Sequence, residues 1–164
     1  MKEMNPEERL KVARQIFNEV IPMHKFLGLE LLEVREGYAL VRVPFREEFV
    51  GDPRSRRLHG GLMSATMDGT AGMAGMTTLK DAVNDLMTTI DLRIDYMHGM
   101  NPEPFLVEAE VARKGKRVVT TRMRAWHENE PEAERKVLAE GRAVFHVSLG
   151  ADRAAAKAEK EKEA

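Results

Sequence analysis

The sequence predicts an α+β fold in which a largely antiparallel sheet packs on one long helix. Residues 58–76, LHGGLMSATMDGTAGMAGM, form a helical stretch of small and apolar residues holding one acid. Six segments that read as strands surround it, two before and four after, and turn residues separate them. No internal repeat and no linker divides the chain, so helix and strands belong to one layered domain.

Residues 5–20 open with Pro6 at a first helical position and Glu7 and Glu8 in the first turn. Leu10, Val12, Ala13, Ile16, Phe17 and Val20 follow at helical spacing, which predicts an amphipathic helix. Residues 21–28 break it, and residues 29–34 read as a short strand. After a turn at Glu36-Gly37, Ala39, Val41, Val43 and Phe45 alternate with Tyr38, Leu40, Arg42 and Pro44 in a second strand. Residues 46–57 are a polar loop punctuated by Gly51-Asp52-Pro53, leading straight into His59-Gly60-Gly61.

Beyond the helix, residues 77–85 connect to a long strand over 86–97. Strict alternation places Ile90, Leu92, Ile94 and Tyr96 on one face and Thr89, Asp91, Arg93 and Asp95 on the other. Strands over 105–113 and 117–127 meet at Lys114-Gly115-Lys116, and a last strand over 136–149 follows a turn at Asn129-Glu130-Pro131. The chain thus divides into an N-terminal helix over 1–21, the main domain over 22–149 and a charged Ala/Lys/Glu tail over 150–164.

Composition narrows the function classes. A length of 164 residues suits one domain, and a formal net charge of −1 with 32% charged residues lacks the basic excess of a nucleic-acid binder. The absence of cysteine rules out disulfides, thiolate metal ligation and a Cys nucleophile. The N-terminus has no apolar leader, and no apolar run approaches the roughly 18 residues of a membrane span. The expectation is a soluble, cytoplasmic protein. Eleven methionines fill core or line an adaptable apolar pocket.

The central stretch carries the chemistry. Gly61, Gly69, Gly72 and Gly75 each cost the helix about 1 kcal/mol relative to Ala, so either tight packing in a curved sheet or close backbone approach requires them. Their spacing is not a dinucleotide fingerprint. Gly60 and Gly61 stand at the helix start, where free N–H groups and the helix dipole favour an anion or a developing oxyanion. Asp68 is the only acid between Asp52 and Asp81, set among apolar and small residues. Such a carboxylate is either a structural acceptor or a catalytic base or nucleophile.

Asp68 returns to nearly the helix face of Gly61, about 10 Å along the axis, too far for both to act on one carbon. A catalytic reading therefore draws the two groups from two copies of the helix, which predicts a homodimer with shared sites. His24, His98, His127 and His146 have no mutual metal-ligand spacing, so no metal site is expected and each reads as a satisfied or exposed histidine. No Gly-x-Ser-x-Gly nucleophile turn is present.

His-Gly-Gly followed by the spaced Asp68, the strand TTIDLRIDYM, the turn RKGKR and the run Leu27-Gly28-Leu29-Glu30 resemble the hotdog-fold acyl-CoA thioesterases of the PaaI/4-hydroxybenzoyl-CoA thioesterase type, over roughly residues 22–149. The resemblance implies a hotdog fold, a curved sheet wrapped around the central helix, and active sites between paired subunits of a homodimer, alone or as a dimer of dimers (homotetramer). It makes Asp68 the base or nucleophile and the Gly61 N–H the oxyanion donor, with Gly60 beside it at the substrate. His59 would shape the helix start and Thr89 would orient the attacking water. Arg113, Lys114, Gly115, Lys116 and Arg117 would lie along coenzyme A, which is part of the substrate, so no cofactor is implied. Many relatives carry an Asn in the loop before His-Gly-Gly that helps position the thioester or water, and the resemblance gives that substrate-binding place to its nearest counterpart here, Asp52.

Three functions compete at this stage. The first is a thioesterase acting on a small or medium acyl-CoA, aromatic ones included. The second is an enoyl-thioester hydratase that uses Asp52 and His59 as an acid/imidazole pair. The third is a non-catalytic acyl-CoA-binding module.

Overall fold

The computed structural model describes residues 5–152. Its first helix, α1 (Pro6–Gln15), is set by a capping box in which Asn5 accepts from the Glu8 N–H at 2.9 Å and the Asn5 N–H donates to the Glu8 carboxylate at 3.0 Å. The chain then widens into one π-helical turn (Ile16–Val20) that buries Phe17. Residues 21–28, expected as a break, instead contain a second short helix, α2 (Pro22–Leu27). Pro22 starts it, and Gly28 at φ +68° ends it in the left-handed conformation that glycine adopts without a Cβ penalty.

The hairpin of β1 (Glu30–Arg35) and β2 (Tyr38–Val43) forms as its alternation predicts, and β2 turns Ala39, Val41 and Val43 inward. Residues 46–57 hold more structure than a loop. A 3₁₀ turn (Glu47–Phe49) leads to a two-stranded ribbon of β3 (Val50–Asp52) and β4 (Arg57–Leu58), which delivers the chain to α3 (Gly60–Met76). The remaining strands are β5 (Leu86–Tyr96), β6 (Phe105–Lys114), β7 (Val118–His127) and β8 (Ala139–Ser148).

Six strands form one antiparallel sheet in the order β1-β2-β6-β7-β8-β5. Its concave side holds α3, whose Met63, Met67, Ala71 and Ala74 are buried together with Val41 and Val43 of β2, Phe105, Val107 and Ala109 of β6, and Met123 and Ala125 of β7. This is the wrapped-helix arrangement of a hotdog fold. The outer side carries charge pairs such as Arg124–Glu108 at 2.6 Å. Ala13 of α1 and Phe17 join the same core, so the N-terminal segment packs on the main body.

One departure in β5 governs the site. Strict alternation puts Thr89 on the side of Asp91, Arg93 and Asp95, but a β-bulge makes Thr89 pair with Phe145 and Asp91 pair with its neighbour Val144. Ile90 is the extra residue and is 60% exposed. The side-chain phase therefore flips, and Met87 and Thr89 face inward with Leu92 and Ile94. The tail over 150–164 lies mostly outside the described residues, as do residues 1–4.

Candidate active site

Asp68 projects from the middle of α3 and is half-buried. The bulge aims Thr89 at it, and the Thr89 hydroxyl donates to Asp68 Oδ1 at 2.9 Å. That bond holds one carboxylate oxygen and leaves Oδ2 to accept another proton, while the Thr89 oxygen keeps its own acceptor capacity. The carboxylate borders a cavity of about 210 Å³ between α3, the N-terminal segment and the β5–β8 side of the sheet. Asp68 and Thr89, expected to act together, are thus brought together.

His24 is the residue that sequence reasoning passed over. It sits on α2, is only 8% exposed and borders the same cavity. Its Nδ1 lies 3.3 Å from the Phe17 carbonyl oxygen, and its ring stands 4.2 Å from the Phe17 ring. That bond makes Nδ1 the donor, so Nε2 carries the lone pair and has no partner among the described residues. Burial pushes the imidazole below its ordinary range, partly opposed by the Phe17 hydrogen bond and the negative charge of Asp68. Gly69 explains the fit, because a Cβ there would stand 2.7 Å from His24 Nε2. The readable signals were Pro22 and Gly28, which bracket α2, and a glycine directly after the lone acid.

The start of α3 is arranged differently. His59 is its N-cap, and its Nδ1 accepts from the Gly61 N–H at 2.8 Å. The group expected as oxyanion donor is therefore engaged by the neighbouring imidazole. Tyr96 closes the other side by donating to the Gly60 carbonyl at 2.8 Å, with its hydroxyl 2.6 Å from the Ser64 Oγ. Sequence alternation gave Tyr96 an apolar role and did not single out Ser64.

Asp52 turns into its own loop, where it accepts from the Ser55 hydroxyl at 2.9 Å and from the Arg54 N–H and side chain. The Ser55 bond, then those to Arg54, lower its pKa. Among the described residues no hydrogen bond joins Asp52 to His59. In the β6–β7 turn, Lys114 donates to the Thr78 carbonyl and Arg117 pairs with Asp152, while Arg113 and Lys116 are exposed. Burial lowers the Lys114 pKa first, and nearby Arg9 adds to it. Gly115 completes the turn with its N–H on the Val118 carbonyl at 2.7 Å. Lys114, Gly115 and Lys116 border a second cavity of about 370 Å³ floored by Leu79, Val119 and Val147.

A family model described as the thioesterase superfamily matches residues 57–134, the span that includes the cap, Asp68, Thr89 and this turn. A protein of Saccharolobus solfataricus, an esterase by assignment only, is 35% identical over 115 residues, which cover 69% of this chain and 77% of that protein. The chain belongs to the thioesterase superfamily. As a member of that family it is a thioester hydrolase. The medium/long-chain acyl-CoA thioesterase YigI of Escherichia coli is 27% identical over 138 residues, covering 77% of this thioesterase and 89% of YigI. The E. coli PaaI protein from the phenylacetic acid degradation operon shares the fold at a TM-score of 0.73 and 16% identity, over 87% of this thioesterase and 95% of PaaI.

Among the described residues, no group of three or more His, Asp or Glu is placed to hold a metal ion, and no helix is long and apolar enough to cross a membrane.

Proposed function

We propose that the protein is an acyl-CoA thioesterase for small to medium acyl groups, aromatic ones included, and that Asp68 acts as a general base on water. The observation that carries this is the Thr89–Asp68 bond at the edge of an apolar cavity, a carboxylate with one oxygen fixed and the other open. Water held between Asp68 Oδ2 and the Thr89 oxygen attacks the thioester carbonyl carbon. As the new C–O bond forms, the water proton passes to Asp68 and the carbonyl oxygen becomes an oxyanion. Collapse of that intermediate breaks the C–S bond, and the proton goes on to the coenzyme A sulfur, leaving a free thiol and a carboxylic acid.

The oxyanion donor is the Gly61 N–H of a second subunit, exposed when His59 turns its Nδ1 away. Three features support a homodimer. Gly61 and Asp68 are too far apart on one helix to share a carbon. Strand β5 is an edge of the six-stranded sheet, and no strand pairs its outward side among the described residues. It also exposes large apolar side chains, with Leu86 at 54%, Ile90 at 60% and Tyr96 at 52%. The exposed cations Arg113 and Lys116, with Lys114 and Arg117 beside them, suit the phosphates of coenzyme A.

Thiol release from a panel of acyl-CoA esters tests the reading. Release that is lost in Asp68→Asn, with thermal midpoint and dimer mass kept, supports it, and undiminished release removes Asp68 from the chemistry. Mixing Asp68→Asn with Gly61→Pro subunits should restore part of the activity; verified heterodimers without recovery would overturn the shared site.

A further inference from the structure

The cavity beside Asp68 has a polar end and an apolar end. Asp68 and Thr89 are joined there by their hydrogen bond, and His24 sits against Gly69, the next residue of α3. The Nε2 of the buried His24, without a partner among the described residues, adds a further acceptor to this end. Away from it, the lining is Ile16, Phe17 and Ile21 from the N-terminal segment and Gly72, Met73 and Met76 from α3. The pantetheine arm carries two amides that these side chains cannot bond, so the apolar end fits the acyl half of a substrate.

Two glycines of α3 border this cavity and differ in what they accommodate. At Gly69 a Cβ would collide with His24, so packing requires the glycine. At Gly72 a Cβ would meet only Phe145, at an ordinary 3.8 Å, so packing does not require it. What Gly72 leaves in place of a side chain is cavity, about 6 Å along the helix from Asp68. Another turn on, about 12 Å from Asp68, stands Met76. Met76 and Met87 also pack on the cluster of Leu79, Val119 and Val147, which floors the second cavity, so these two flexible side chains form the far wall of the first.

We propose that this cavity is the acyl pocket, that Gly72 gives it its width, and that Met76 and Met87 stop the chain, so that the preferred substrate carries one aromatic ring or an alkyl chain of about six carbons. The size follows from volume: a dry apolar cavity of about 150 Å³ holds benzene, and this one measures about 210 Å³. The proposal rests on the thioesterase reading above and names its substrate class.

The test is kcat/KM for acetyl-, butyryl-, hexanoyl-, phenylacetyl- and decanoyl-CoA. Wild type should peak at hexanoyl or phenylacetyl. Gly72→Val should lower both relative to acetyl-CoA by at least about tenfold, and Met76→Ala should raise decanoyl relative to hexanoyl by about tenfold. Gly72→Ala, which the space admits, serves if the valine variant does not fold, with a smaller shift in the same direction. A folded Gly72 variant with the wild-type chain-length profile overturns the proposal. If wild type releases thiol from none of these esters, the thioesterase reading falls separately. The pocket is then judged by calorimetric titration with hexanoyl-CoA, where a dissociation constant weakened about tenfold in Gly72→Val supports it and an unchanged one overturns it.

Discussion

The start and the middle of α3 differ in how completely their polar groups are satisfied. At the helix start, the Gly61 N–H is bonded to His59 Nδ1, and the Gly60 carbonyl and Ser64 hydroxyl are engaged by Tyr96. Two turns on, Asp68 Oδ2 and His24 Nε2 have no hydrogen-bond partner among the described residues and stand beside a cavity. Hydrogen bonds already made at a helix end stabilise it, and the groups that make them must be released before they can serve a substrate. An incomplete set around empty space is already prepared to receive one.

Substitutions at the open end test this most strongly. Asp68→Asn should lower kcat by about 10²- to 10⁴-fold, the range for a positioned general base, with the fold retained on thermal denaturation. Thr89→Val removes one hydrogen bond to an ionised group, worth about 1.5–3 kcal/mol, and should lower kcat by roughly 10- to 100-fold with KM little changed. A valine variant as active as wild type would make Thr89 a packing residue only. At the closed end, His59→Ala should cost about 1 kcal/mol of stability through the lost cap, with a much smaller effect on kcat because it also frees the Gly61 N–H.

The smallest effects concern packing and protons around His24. Gly69→Ala forces a Cβ against His24, and overpacking of that kind costs about 1–3 kcal/mol. Gly72→Ala has room, and its better helix propensity should stabilise by up to about 1 kcal/mol. Chemical denaturation of the pair reads the contrast directly. His24 resists protonation when folded, so below its ordinary value of 6.5 the unfolded chain binds more protons than the folded one. The stability linked to His24 is therefore fully present above 6.5 and is lost as pH falls below that value toward the folded pKa. The thermal midpoint should drop more steeply on acidification in wild type than in His24→Gln, and parallel curves would remove His24 as the cause.

Much of this was legible in the sequence because it is local. Alternation in two strands and turn residues around the other four placed the six main strands, and Asp68 was conspicuous as a lone acid in a small-residue helix. What was not legible depends on pairing across the chain. The face of Thr89 is decided by a bulge against β8, and alternation within β5 alone gives the opposite side. The ribbon of β3 and β4 is too short for any period to register. His24 lies in a segment read as a break, and only the docking of α2 on Gly69 brings it beside Asp68. The engagement of Gly61 by His59 is local, but it turns on a side-chain rotamer, which spacing does not reveal.

The N-terminal segment covers the cavity from a part of the chain distant in sequence from the carboxylate it shelters. Roof and chemistry are therefore separable units of variation. Ile16 and Ile21, which are only partly buried, can change size without altering the helix or strand that hold Asp68 and Thr89. On the proposed reading, a scaffold built this way can be retuned to a new acyl group at those two positions while Asp68 and Thr89 stay as they are.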